Sequence, residues 1–242
     1  MIRHMKEKIL DVISIAIVLI LCLAFVVKFG GPSILKLYVE RGIGNCQAIP
    51  ILCMAPEEEI VNPKINKEYI AEFLPYKFPK IQVLVPRGFT VSAEKITKVY
   101  YKRQKRKHSG AVVYLLYEKP NFFIGLFPQL KKHGIKNNYE FFQRTMAAKL
   151  KDVKTLSDAL FVIIKSVFTP DIGNQHNVKI IKFIIDDKRG FINYNLEKTK
   201  NYFDCNIIDP QDNFFKIYIK DEKKQLDLDK VFAIIFTVKK AD

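Results

Sequence analysis

VKIIKFIIDDKRGFINYNLEKTKNYFDCNIIDPQDNFFKIYI, residues 178–219, is the stretch of the sequence that decides the fold. Four runs of six to eight residues, rich in β-branched and aromatic side chains, predict strands at 178–185, 191–196, 202–208 and 214–219. The connectors 186–190 and 209–213 hold the Asp, Gly, Pro and Asn residues that favour tight turns. This stretch therefore predicts a meander of four antiparallel strands.

Two helices are predicted directly before the meander. Asn137 or Asn138 can cap the first helix, which extends through residue 151. The second helix begins after Thr155, which forms a capping box with Asp158, and it ends at residue 169. Its apolar residues recur at helical spacing and predict a face buried in the core: Leu156, Ala159, Leu160, Ile163, Ile164, Val167 and Phe168.

The remaining segments place further strands before these helices and one helix after the meander. A strand is predicted at 80–86, a hairpin of 96–103 with 111–117, and a buried strand at 122–126. A last helix is predicted to begin at the N-cap Asp227, although its β-branched end also suits a strand. The expected fold class is α+β, a mostly antiparallel sheet packed with helices as an α/β/α sandwich.

This layout resembles the PsbP-like domains, which include lipoproteins of the DcrB type. The matching pieces are the strand with Pro-x-Gly-Phe at 83–89, the central helix, Arg189-Gly190-Phe191 at a hairpin, and a terminal helix at 231–239. The resemblance covers roughly residues 78–239, and the basic hairpin and the doubled central helices depart from the simplest form of that fold. It implies a binding or accessory module, with no catalytic residues to carry over.

An apolar segment at residues 9–27 is the clearest feature of the N-terminal part. Its nineteen residues carry one charge, Asp11, and as a helix they would span about 28 Å, close to the thickness of a hydrocarbon core. A cleaved signal peptide is disfavoured by Pro32 near the cleavage position, and a lipoprotein by the lack of a small residue before Cys22. The sequence therefore predicts a single-pass transmembrane helix.

The domain organisation follows from this helix. It is a short tail at 1–8, the transmembrane helix at 9–27, a juxtamembrane connector at 28–64 and a soluble α+β domain at 65–242. The basic residues that flank the helix are balanced between its two ends, so they do not decide the orientation. The short tail favours a signal anchor, with the domain on the extracytoplasmic side.

Cys46 and Cys53 support the same orientation, because a disulfide that closes this small loop suits an oxidising compartment. Two alternatives stay open at this point. The two cysteines could be unpaired apolar side chains, or they could form half of a metal site whose other ligands are not apparent.

The net charge of +15 favours anionic partners. Its densest part is the tip of the predicted hairpin, with the candidate contacts Lys98, Lys102, Arg103, Lys105, Arg106 and Lys107. These cations could contact an anionic lipid surface or another anionic partner. Contact with nucleic acid, with the neighbouring tyrosines stacked on bases, is less favoured. A solvated tip that discourages pairing of strand edges explains the same residues.

Motifs for catalysis and cofactor binding are not apparent in the sequence. It contains no HExxH, Cys-x-x-Cys, EF-hand, Gly-x-Ser-x-Gly or Walker pattern, so we predict no catalytic residue, no cofactor and no metal. Cys205 is interpreted as an ordinary strand residue. The pairs Asp186-Asp187 and Asp221-Glu222 do not converge, because adjacent strand positions face opposite sides.

Together these observations predict a membrane-anchored, non-catalytic binding or accessory protein, whose partners are the lipid bilayer and a protein or envelope component. One alternative is a cytoplasm-facing domain that binds anionic lipid or nucleic acid through the basic hairpin. A second alternative is a hydrolase built on scattered Asp and His residues. The sequence leaves the oligomeric state open.

Overall fold

The computed structural model describes residues 31–93, 111–169, 172–173 and 175–241 of the 242-residue chain. Numbered in chain order, its helices are α1 (Gly31–Gly42), α2 (Lys67–Ala71), α3 (Phe122–Leu126), α4 (Asn138–Ala147), α5 (Leu156–Phe168) and α6 (Leu228–Thr237). Its strands are β1 (Glu58–Val61), β2 (Leu74–Phe78), β3 (Ile81–Val85), β4 (Thr90–Ala93), β5 (Val112–Glu118), β6 (Lys179–Ile185), β7 (Lys188–Leu196), β8 (Asn201–Ile208) and β9 (Phe214–Asp221).

Seven strands form the central sheet in the order β1-β6-β7-β8-β9-β5-β4, and β2 pairs with β3 in a separate hairpin. The predicted meander is confirmed, because β6 to β9 pair antiparallel in sequence order. Each edge of the sheet adds a parallel pair, β1 with β6 and β4 with β5. The protein is therefore α+β with a mixed, mostly antiparallel sheet.

Helices cover both faces of this sheet. On one face α6 packs against β3, β6 and β8, around a core that includes Phe183, Phe203 and Phe232. On the other face α4 packs against β7 and α5, and an aromatic cluster fills the interface. At the centre of this cluster the ring of Phe123 lies 4.6–5.3 Å from five others: Phe122, Phe141, Phe142, Phe168 and Phe214.

The predicted caps of three helices are confirmed. Asn137 accepts a hydrogen bond from the N–H of Glu140 at the start of α4, and Asp227 accepts one from Lys230 at the start of α6. Thr155 and Asp158 form the predicted capping box of α5. Helix α4 ends four residues earlier than predicted, at Ala147, because the backbone of Ala148 is extended (φ −63°, ψ 135°).

Two local predictions were wrong. Residues 122–126 form the short helix α3, not a strand, because Asn121 adopts a left-handed conformation (φ 56°) that turns the chain after β5. The turn between β6 and β7 consists of Asp186 and Asp187 alone, so Gly190 lies inside β7, opposite Phe183 and Ile207.

Residues predicted as a connector at 28–64 contribute to the folded body from residue 31 onward. Val39 of α1 is buried against α5, and Ile51 and Leu52 are buried in a 3₁₀ turn at Pro50–Cys53. Strand β1 follows and pairs with β6. The apolar residues of this segment are therefore part of the core, where the sequence had indicated a tether.

The structure corrects the prediction of a fold with an N-terminal transmembrane helix, and with it the prediction of single-pass membrane localisation. In the part of the chain that the structure describes, no helix is both long and apolar enough to cross a bilayer. The longest of these helices, α5, has 13 residues, whereas a bilayer requires about 20. The predicted span at 9–27 and one strand of the predicted hairpin, 96–103, lie outside the described residues.

Lys165 of α5 is a fully buried lysine whose ammonium fixes the connection between α4 and α5. Its Nζ donates to the carbonyl oxygens of Met54 at 2.6 Å, Met146 at 2.8 Å and Ala148 at 3.0 Å. Burial, followed by repulsion from Lys149, lowers the pKa of Lys165 to about 7. Three carbonyl acceptors therefore hold a cation that its surroundings otherwise disfavour.

We expect this lysine to make the stability of the protein depend on pH. Between pH 7 and 10.5 the unfolded chain binds more protons at Lys165 than the folded chain does, so the free energy of unfolding rises with pH. From pH 7 to pH 9 the gain is about 2 kcal/mol. Urea unfolding of the wild type and of Lys165→Met at both pH values measures it. The gain should be absent in Lys165→Met and present in the exposed control Lys151→Met, whereas equal pH slopes in all three proteins would contradict it.

Candidate functional site

A cleft of about 420 Å³ lies at one end of the sheet. The turn between β6 and β7, the turn between β8 and β9, and the chain after α6 line it, and the exposed Pro120 supplies apolar surface. We call it the turn-end cleft. Its volume lies in the range of small-ligand sites in proteins.

Hydrogen bonds hold the β8–β9 side of the turn-end cleft in place. The Asp209 carboxylate accepts from the backbone N–H groups of Gln211 (3.0 Å) and Asn213 (2.8 Å), and from the Asn213 side chain (2.8 Å). The Asn213 side-chain oxygen in turn accepts from the Tyr117 hydroxyl at 2.8 Å. Burial, followed by the Asp209 and Glu118 carboxylates, raises the pKa of Tyr117, so its hydroxyl stays a neutral donor.

The opposite side of the turn-end cleft carries lysines. Lys188 Nζ donates to the Phe236 carbonyl oxygen at 3.3 Å and lies 3.4 Å from the Asp187 carboxylate. Lys239 and Lys240 are exposed, and neither forms an ion pair with a residue in the described ranges. The ammonium groups that remain available to a ligand are therefore those of Lys239 and Lys240.

This arrangement suits binding of an anion better than acid–base chemistry. All three hydrogen bonds to Asp209 stabilise its turn, and Asp187 already faces a lysine, so neither carboxylate is aimed at a reacting group. Within the described ranges no group of three or more His, Cys, Asp and Glu side chains could hold a metal ion. The cleft can thus supply charge and apolar surface.

Cys46 and Cys53 lie within disulfide distance in the structure, with Cα atoms 5.7 Å apart. Both side chains pack on the cluster that contains Val39, Leu52 and Val162. The structure places this pair in the packed N-terminal segment, and neither cysteine lines the turn-end cleft. Its oxidation in the cell stays a prediction.

Oxidation of this pair should stabilise the fold by about 2 kcal/mol, because the bond restricts a short loop of the unfolded chain. Alkylation of the denatured, unreduced protein should then label two of the four cysteines, Cys22 and Cys205. Reduction should lower the melting temperature of the wild type and leave that of Cys46→Ser/Cys53→Ser unchanged. Labelling of all four cysteines in unreduced protein purified from its native source would contradict the prediction.

The six candidate cations of the basic hairpin, Lys98, Lys102, Arg103, Lys105, Arg106 and Lys107, lie outside the described residues.

Cys205 is fully buried, and burial, followed by the Asp204 charge, raises the pKa of its thiol well above the ordinary value, which does not suit a nucleophile. Asp221 accepts hydrogen bonds from the N–H groups of Lys223 and Leu226 and stabilises the turn after β9.

A buried polar cluster, formed by Asn193, Asp204, Asn206 and Lys216, lies under the end of α5. Lys216 Nζ lies 2.6 Å from the Asp204 carboxylate, and it donates at 3.1 Å to both the Asn206 side chain and the Phe168 carbonyl oxygen. Asn193 donates to Asp204 at 3.2 Å. The lysine thus holds the C-terminal end of α5 on the sheet, which is a structural role.

Sequence reasoning missed the turn-end cleft, although it had identified the segment 209–213 as a turn. The residues that line the cleft come from the two turns and the C-terminal tail, and no spacing in the sequence connects them. The predicted terminal helix at 231–239 included Lys239, so its place on an extended segment was not foreseen. In the structure α6 ends at Thr237 and the chain continues extended.

Comparisons with known proteins give no relative from which the role of the cleft could be inferred. No family model, no curated protein and no solved structure matches the chain. Function is therefore argued from charge, hydrogen bonding and shape.

Proposed function

We propose that the protein is a non-catalytic binding or accessory module, and that the turn-end cleft holds an anionic group of its partner. The observation that carries this proposal is the pair Lys239 and Lys240, two exposed cations on a cleft whose carboxylates are already engaged. The net charge of +15 supports it, because it attracts anionic partners over a longer range. The resemblance to PsbP-like domains is in keeping with an accessory role and stays a prediction.

Titration with a small anion tests the proposal. We expect succinate and pyrophosphate to shift the backbone amide NMR signals of residues 187–188, 209, 211–213 and 238–240 in the full-length protein. Because the attraction is electrostatic, the apparent affinity should fall about tenfold in Lys239→Gln/Lys240→Gln and should weaken as the salt concentration rises.

Lys131→Gln/Lys132→Gln is the matched control, since it removes two exposed, consecutive lysines from a 3₁₀ turn that does not line the cleft. It should bind both anions like the wild type. Equal losses in the two double variants, or shifts spread over the whole surface, would count against the cleft as the site.

A further inference from the structure

The chain after α6 carries an exposed backbone edge. Lys239 exchanges two hydrogen bonds of 2.9 Å with Gln82 of β3, and the N–H of Ala241 donates to the Lys80 carbonyl oxygen at 3.3 Å. Alternate residues of an antiparallel ladder direct their N–H and C=O groups to opposite sides. The backbone groups of Lys240 therefore face away from β3, and no residue in the described ranges bonds to them.

This edge forms a wall of the turn-end cleft. Val238, Lys239 and Lys240 all line the cleft, although neighbouring side chains of an extended chain point to opposite sides. Three consecutive lining residues therefore indicate that the backbone of this stretch borders the cleft as well. The open N–H and C=O groups of Lys240 therefore lie on the border of the cleft.

The charge of this wall indicates which strand would fit. The open edge belongs to a stretch with two exposed lysines, Lys239 and Lys240, and the Asp187 and Asp209 carboxylates are engaged by Lys188 and by the β8–β9 turn. A segment with carboxylates would be attracted by these lysines, whereas a basic segment would be repelled. Main-chain pairing at a sheet edge is a common mode of peptide recognition.

We propose that the turn-end cleft accepts an extended acidic segment of a partner protein, which pairs with the backbone of Lys240 and directs its carboxylates to Lys239 and Lys240. This inference rests on the proposed function and specifies the partner of the same site. The bound segment extends the sheet of β2, β3 and the C-terminal tail by one strand.

Binding of synthetic peptides to the full-length protein tests the inference. The probe is a fluorescein-labelled Val-Val-Glu-Glu-Val-Val peptide, whose adjacent carboxylates point to opposite sides of the strand as Lys239 and Lys240 do. Its matched analogues carry Gln in place of Glu or N-methyl groups on alternate amides. Measured by fluorescence anisotropy, the Gln analogue and the N-methylated analogue should each bind about tenfold more weakly than the probe. Lys239→Gln/Lys240→Gln should show the same loss for the probe, and Lys131→Gln/Lys132→Gln should show none.

The outcomes separate this inference from the proposed function. An N-methylated peptide that binds like the probe, while succinate still shifts the cleft signals, overturns main-chain pairing and leaves the anion site standing. An oligonucleotide that occupies the cleft while the peptide does not bind also overturns the inference. Absence of both peptide and anion binding at the cleft overturns both proposals.

Discussion

Asp204→Asn is expected to lower the free energy of unfolding by about 3–5 kcal/mol, because it leaves the buried ammonium of Lys216 without its counter-charge. Asp204 is fully buried and the Lys216 side chain is 9% exposed, so water cannot replace the lost partner. The helix end at Phe168, which the same ammonium holds, should loosen at the same time. Urea unfolding followed by circular dichroism measures the change.

Glu59→Gln is the matched control, because it breaks the ion pair of Glu59 with Lys182, whose side chains are 41% and 24% exposed. Its cost should stay at or below about 1 kcal/mol. The double variant Asp204→Asn/Lys216→Met should regain part of the stability that Asp204→Asn loses, since no charge stays buried. If Asp204→Asn proved no more costly than Glu59→Gln, the buried ion pair would not exist in solution.

Gly190→Ala is the second change with a large expected effect. A Cβ atom at this position would lie 1.9 Å from the backbone oxygen of Asn206 and 2.9 Å from the ring of Phe183. The oxygen belongs to β8, which pairs with β7 on one side and β9 on the other, so it cannot move without disrupting the sheet. We expect a loss of about 3 kcal/mol in the free energy of unfolding.

Gly125→Ala provides the comparison for this substitution. A Cβ atom there meets nothing within 4 Å, and Gly125 lies in the helix α3. Alanine should therefore leave stability unchanged or raise it by up to about 1 kcal/mol. Thermal unfolding of the two variants under the same conditions measures the difference in melting temperature. Similar melting temperatures would contradict the close contact at Gly190.

The parts of the fold that could be predicted from the sequence depend on local signals. The turn residues at 209–213 fix the ends of β8 and β9, and the capping box of Thr155 and Asp158 fixes the start of α5. These features arise from neighbours in sequence. They could therefore be identified without knowledge of the sheet.

The edges of the sheet could not be predicted in this way. Strand β1 pairs in parallel with β6, and its short sequence Glu-Glu-Ile-Val gives no sign of that partner. The aromatic residues of α3 suit a strand equally well, and their contacts with Phe141 and Phe214 decide for the helix. In both cases distant residues determine the local structure.

The candidate site could not be predicted from the sequence for a related reason. Lys188, Asp209 and Lys240 lie on three separate segments, and each alone is an ordinary residue of a turn or a chain end. Only the meander and the last helix bring them to one end of the sheet. The sequence indicated an anionic partner from its total charge, and it directed attention to the hairpin at 96–117.

The parallel pairing of β1 with β6 has a consequence during synthesis. Glu58 finds its partner in Ile181, so the ribosome releases β1 long before β6 has been translated. Throughout that interval β1 has no β6 to pair with in the nascent chain. Because like charges disfavour strand pairing, we expect the negative charges of Glu57, Glu58 and Glu59 to keep this segment from pairing with its copies on neighbouring nascent chains until the C-terminal half has been made.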